Sequence, residues 1–136
     1  MGRELTLFVD ASALVAIIAG EEDQQALALR IIADDDPIWS PMSCWETISA
    51  LRSSHRYTFE RARIEVEAFA GSRPLRLVAV GESERRIALD AYAEYGKAGR
   101  HPAKLNMGDC FAYACAKSNK AALLYKGNDF AKTDLA

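Results

Sequence analysis

The sequence predicts an α/β fold in which helices cover both faces of a parallel sheet. Three observations lead there. Short apolar runs of strand length ("LTLFV", "PIWS", "PLRLVAV", "AALLY") recur along the chain, and stretches of helical periodicity separate them. The helical stretches open on the residues that favour helix starts, Asp10, Pro41, Thr58 and Asn106. The stretch Cys110 to Ala116, "CFAYACA", is small or apolar at every position, as in a helix enclosed on all sides. Strands alternating with helices give a parallel sheet covered on both faces.

Taken in order, residues 5–9 form a first strand, buried on both faces at its end. Residues 12–19 follow as a helix, stopped by Gly20-Glu21-Glu22-Asp23. Residues 23–33 are a second helix, with Leu27, Ile31 and Ile32 at helical spacing. Residues 37–40 are a short second strand. Pro41 opens a helix to about Ser54, since proline suits a first turn. Residues 58–71 are another helix, capped by Thr58 and ended by Gly71. Residues 74–80 make a third strand, and residues 82–99 a helix ending in a glycine-containing loop. Asn106 caps the apolar helix. Residues 121–125 are a fourth strand, and a short fifth is expected at the C-terminus.

The chain of 136 residues suits one domain, 1–136, with a core of its own. Its 50% hydrophobic and 26% charged residues are those of an ordinary globular protein. No apolar run approaches the ~20 residues of a membrane span, and "MGRELTLFVD" lacks the apolar core and cleavage site of a signal peptide. A cytoplasmic protein with no membrane partner is expected. Cys44, Cys110 and Cys115 are odd in number and lack C-x-x-C spacing, and His55 and His101 lie far apart. That argues against a disulfide framework or a zinc site and for cysteines in the core.

The net charge of −2 conceals an asymmetry. Residues 1–51 hold two Lys/Arg against nine Asp/Glu, residues 52–96 eight against seven, and residues 97–136 seven against three. This is no basic coat for nucleic acid; it fits an acidic centre with basic flanks.

Asp109 poses the functional question. It stands at the mouth of the apolar helix, where a buried carboxylate costs several kcal/mol in practice unless something pairs with it. In parallel α/β sheets, ligands bind beyond the carboxyl ends of the strands. Asp10 directly follows the first strand, Glu46 lies in the helix after the second, and Asp129 follows the fourth. Acids far apart in sequence thus recur near one edge of the sheet. Gathered carboxylates repel and raise one another's pKa, and a divalent cation removes that repulsion. All-oxygen ligands favour Mg²⁺ or Mn²⁺. Each acid also has an ordinary explanation. Asp10 serves as a helix cap, Asp109 complements a helix dipole, Glu46 is a solvated helix residue, and Asp129 is a loop acid. Their joint placement carries the metal-site reading.

Three stretches, "LFVDASALVAII", "LNMGDCFAYACAK" and "LLYKGNDFAKTDL", together resemble the PIN-domain ribonucleases, most of all VapC-type toxins of bacterial type II toxin–antitoxin pairs. The resemblance runs from Leu7 to Leu135. It implies a three-layer α/β/α sandwich with a central parallel sheet of order 3-2-1-4-5. It also implies an acidic Mg²⁺ site, cleavage of single-stranded RNA, a homodimer and a cognate VapB-type antitoxin. Residue by residue, Asp10 matches the first acid, Glu46 in "SCWETISAL" the second, Asp109 the third and Asp129 in "GNDF" the fourth. Ser12 matches a hydroxyl residue beside the site. Ala11 stands where many relatives carry threonine, and Asn128 where some carry another acid, which weakens a second metal position.

The expected chemistry is metal-dependent phosphodiester hydrolysis. Lys97, Arg100 and Lys104 are candidate RNA-binding cations before Asp109, and Arg52, Arg56, Arg61 and Arg63 lie beyond Glu46. Other Asp-dependent α/β enzymes fit less well. A haloacid-dehalogenase-type phosphatase needs an acid where Ser12 stands, and a two-component receiver needs an acidic pair where Asp10-Ala11 stands. The alternative of another class is a non-catalytic PIN-fold module that only binds a partner, separable by a metal-binding titration.

Overall fold

The computed structural model describes residues 6–97 and 99–136. Ten elements follow in chain order: β1 (Leu7–Val9), α1 (Ala11–Ile18), α2 (Gln24–Ala33), β2 (Ile38–Trp39), α3 (Pro41–His55), α4 (Phe59–Ser72), β3 (Arg76–Leu77), α5 (Glu82–Tyr95), α6 (Met107–Ser118) and β4 (Ala122–Leu124). The strands form one parallel sheet of order β3-β2-β1-β4, with Phe8 in register with Ile38 on one side and Leu123 on the other.

The pleat of the strands sorts side chains into two cores. Phe8, Ile38 and Leu123 face α5 and α6, where Ala88, Ala91 and the apolar wall of α6 close over them. Leu7, Val9, Trp39 and Leu124 face the other way, against α1 to α4. A parallel strand buried on both faces carries no polar alternation, which is why "LFV" reads as a continuous apolar run. The result is the expected three-layer sandwich. α6 is enclosed as its composition predicts, with Ala112, Ala114, Cys115 and Ala116 all buried.

The expected order holds over four strands, and no fifth strand occurs among the described residues. Beyond β4 the chain spends its backbone donors on itself: Ala131 N donates to Asn128 O, Thr133 N to Phe130 O and Ala136 N to Thr133 O. Phe130 is pinned in the core beside Tyr125, with ring centroids 5.1 Å apart. Such a run of turns cannot pair with a sheet edge.

Several boundaries shift. Leu5 of the first strand and Ala98 of the 82–99 helix lie outside the described residues. α5 ends at Tyr95, where Gly96 takes an extended conformation. α4 runs through Gly71 to Ser72 rather than ending at it, while Thr58 caps it as expected by accepting from Arg61 N at 3.1 Å. Ile32 is half exposed; Ile31 takes the inward position, and the next residue points about 100° away. All three cysteines are free. Cys110 and Cys115 are buried and Cys44 is half-buried. Among the described residues, no helix is long and apolar enough to cross a membrane.

Candidate functional site

Where β1 ends, the chain turns directly into α1, and Asp10 occupies the turn. It is the N-cap, with extended backbone, and is 5% exposed. Its Oδ2 accepts from Ser12 N at 3.0 Å and from Ser12 Oγ at 2.6 Å. Ser12 Oγ in turn accepts from Lys126 N at 2.9 Å, and Asp10 N donates to Leu124 O at 2.9 Å. The ends of β1 and β4 are thereby tied together, which fixes Asp10 relative to the loop that carries Asp129.

Glu46 comes from the second turn of α3. That helix is started by Pro41 and by a capping box in which Ser40 and Ser43 satisfy each other's backbone N–H groups. Asp109 comes from the first turn of α6, in another capping box. Asn106 Oδ1 accepts from Asp109 N at 2.9 Å, and Asp109 Oδ2 accepts from Asn106 N at 3.1 Å. Asp129 follows Gly127, whose φ of +95° lets the chain turn back toward the cleft. All four acids line one open cleft of about 440 Å³, together with Ser12, Glu21 and Lys126.

The electrostatics are those of crowded carboxylates. Burial raises the Asp10 carboxyl, against the Ser12 hydrogen bonds that lower it, and Asp129 raises it further. Burial, then Asp10 and Asp109, push Glu46 up to about 7. Burial pushes Asp109 up to about 6; the Asn106 backbone opposes this, Asp129 and Asp10 add to it, and Lys97 works against it.

The donor set suits a hard cation. The four acids offer only oxygen, and neutralising their repulsion is what such an ion does. Among the described residues, no group of three or more His, Cys, Asp or Glu stands close enough together to hold an ion by itself. Mg²⁺ needs none: it keeps several waters and takes one or two carboxylates plus substrate phosphate oxygens.

The flanking cations sort differently from the sequence expectation. Lys97 lies close enough to bear on Asp109. Arg100 and Lys104 are exposed and are not among the described residues lining the cleft, nor is Asn128. Arg61 and Arg63 are engaged along α4, with Glu65 at 2.7 Å and Glu67 at 3.5 Å.

Two cleft residues escaped the sequence reading. Lys126 Nζ pairs with Glu21 Oε1 at 2.6 Å and Asp23 Oδ1 at 3.2 Å, and His55 Nε2 meets Glu21 Oε2 at 2.8 Å. Lys126 follows β4 at the same sheet edge as the acids, the one signal that pointed to it; Glu21 offered none beyond its place in a helix stop.

The model of the PIN domain matches residues 7–135. A VapC ribonuclease of Rhizobium meliloti (strain 1021) is 39% identical, over 94% of this chain and 98% of its own. Ribonuclease VapC30 of Mycobacterium tuberculosis (strain H37Rv) is 39% identical, over 96% of each. The chain belongs to the PIN-domain family. Within it, these full-length relatives place the chain among the VapC ribonucleases. The PIN fold is shared with two solved structures at 18% identity. The sarcin-ricin-loop-cleaving toxin VapC20 of Mycobacterium tuberculosis has a TM-score of 0.74, covering 96% of this chain and 97% of its own. A toxin–antitoxin complex from Klebsiella pneumoniae has a TM-score of 0.65, covering 96% and 93%.

The shifted carboxyls give a pH prediction for the metal-free PIN domain. An acid whose pKa is higher folded than unfolded binds more protons in the folded state, so stability falls as pH rises. The fall should run from the unfolded carboxyl values near 4 through about 6 for Asp109 and about 7 for Glu46. In EDTA, Tm should drop between pH 5 and pH 8. Mn²⁺ should restore it at the upper end, because it binds only the native state. An Asp10→Asn/Asp109→Asn protein should show a flatter pH profile and little gain from Mn²⁺. An equal Mn²⁺ shift in both proteins would mean a non-specific ion effect.

Proposed function

We propose that this chain is a Mg²⁺- or Mn²⁺-dependent endoribonuclease, the toxin of a type II toxin–antitoxin pair, cleaving single-stranded RNA. One observation carries the reading. Four carboxylates from four separate segments converge on a single cleft in a chain 39% identical to VapC ribonucleases over nearly its whole length.

Asp10 and Asp109 would hold the ion, with Asp129 and Glu46 binding its waters or a second ion. The bound ion would lower the pKa of water and offset charge on the attacked phosphate. Ser12 keeps the Asp10 carboxylate turned toward the cleft through two hydrogen bonds. Glu46 orients the attacking water from the α3 side. Lys97 offsets the acidic field that RNA meets on approach; Arg100 and Lys104, on the same loop, would bind phosphates outside the cleft. Incubation with total RNA, with and without Mg²⁺, followed by mapping of the cut ends, tests the proposal. Metal-dependent cuts bearing 5′-phosphate and 3′-hydroxyl ends are expected. No cleavage in Mg²⁺ or Mn²⁺ would refute it.

The protein is also proposed to act as a two-fold dimer through the α3–α4 side, where Trp45 is 75% exposed and Phe59 44%. Large exposed apolar side chains on one face mark association surfaces. Sedimentation should show a dimer at tens of micromolar (roughly the range of weak interfaces), and monomer alone there would exclude it.

A further inference from the structure

We propose that Gly108 is a positioning residue for Glu46: the side chain it lacks is the space in which the Glu46 carboxylate stands. The inference rests on Glu46 acting in the proposed site.

Gly108 lies buried in the first turn of α6, between Met107 and Asp109. Among the described residues the positive-φ glycines are Gly20 and Gly127, so conformational freedom does not explain a glycine at 108. Glycine is a poorer helix former than alanine, by up to about 1 kcal/mol in a helix interior, so a glycine in the first turn still calls for a reason. Space supplies it. A Cβ built on residue 108 would fall on Glu46 itself, meeting its carboxyl carbon and both oxygens far inside the 3.0 Å that real Cβ atoms keep. Nothing lies within 4 Å of the corresponding point on Gly71 or Gly127. α3 and α6 therefore meet at a glycine, and the second acid reaches the cleft across its bare backbone. Two consecutive residues thus serve the site differently: Asp109 contributes a carboxylate, and Gly108 makes room for one from another helix.

The atoms in the way belong to the far end of a flexible side chain. Gly108→Ala should therefore push Glu46 aside without disturbing the fold, and the better helix former should hold or raise Tm. Activity and stability would then move in opposite directions, which a merely structural glycine would not produce.

The test is a double-mutant cycle over wild type, Gly108→Ala, Glu46→Asp and the double variant, with Glu46→Ala as control. RNA cleavage and the Mn²⁺ dissociation constant by calorimetry are the readouts. Gly108→Ala should slow cleavage about a hundredfold, the scale of a 1 Å misplacement, and weaken Mn²⁺ binding with Tm unchanged or higher. In Glu46→Asp the carboxylate retracts by one methylene, so adding Gly108→Ala to that variant should cost less than about twofold, the coupling expected of residues in contact. Additive losses, or a fully active Gly108→Ala beside an inactive Glu46→Ala, would overturn the inference and leave the proposed function standing. Glu46→Ala at the wild-type rate would instead remove Glu46 from the site, and this inference with it.

Discussion

Asp10→Asn and Asp109→Asn should each reduce RNA cleavage by more than about a hundredfold while the protein stays folded. Losing a mere outer partner of a metal ligand typically costs about 10- to 100-fold, and these carboxylates are the proposed ligands themselves. Folding should survive because each amide keeps the acid's local structural role. Asparagine caps helices as well as aspartate does, so the amide introduced at position 10 can still accept from Ser12 N as Asp10 does at 3.0 Å. The amide oxygen introduced at position 109 can likewise accept from Asn106 N, the other half of that capping box. Each change also removes a charge that raises its neighbours' pKa values: Asp10 bears on Glu46 and Asp109, and Asp109 on Glu46. In EDTA at pH 7.5, both variants should melt at or above the wild-type temperature. Near wild-type cleavage by either variant would show that the acid is not a metal ligand.

The parts of this site that could be read in the sequence are those specified locally. Asp10 follows a strand and opens a helix, and Asp109 follows its cap Asn106 by three residues; both signals lie within a few positions of the acid. Glu46 was less legible because α3 is weakly patterned: Ser43, Thr47 and Leu51 form its buried stripe, two of them polar. Gly108 could not be recognised at all, since its reason is a side chain 62 positions away that only folding brings to it. The same holds for Lys126 and Glu21, 105 positions apart. At the level of the fold, "PLRLVAV" has the composition of a full strand, yet β3 keeps only Arg76–Leu77. It is an edge strand with β2 as its single neighbour, Leu77 is 58% exposed, and the chain turns into the α5 cap at Gly81. Charge was the least legible feature. Arg61 and Arg63 look like a nucleic-acid patch in sequence, but their i,i+4 acids already occupy them.

A protein that inhibits this enzyme should do so with a basic side chain, most effectively an arginine, placed among the cleft carboxylates in place of the metal. Burial, with the neighbouring acids adding to it, already pushes Glu46 up to about 7 and Asp109 up to about 6, and a cation would relieve both. The planar guanidinium binds carboxylates in two places at once, which a lysine cannot do. Lys126 does not fill the role, because Glu21 and Asp23 hold its ammonium at the side of the cleft. The rest of the partner, the proposed VapB-type antitoxin, should be an amphipathic segment lying on apolar surface near the N-terminal helices. α2 offers such surface, with Leu29 63% and Ile32 50% exposed. Two consequences can be measured by calorimetry with the partner that co-purifies from the native host. Its apparent affinity should fall as Mg²⁺ or Mn²⁺ is raised, since both cations need the same oxygens. Asp10→Asn or Asp109→Asn should weaken it by about 2 kcal/mol or more, roughly thirtyfold, because each leaves a buried arginine short of a partner. Equal binding to the wild type and both amide variants, at every metal concentration, would place the inhibitor outside the cleft.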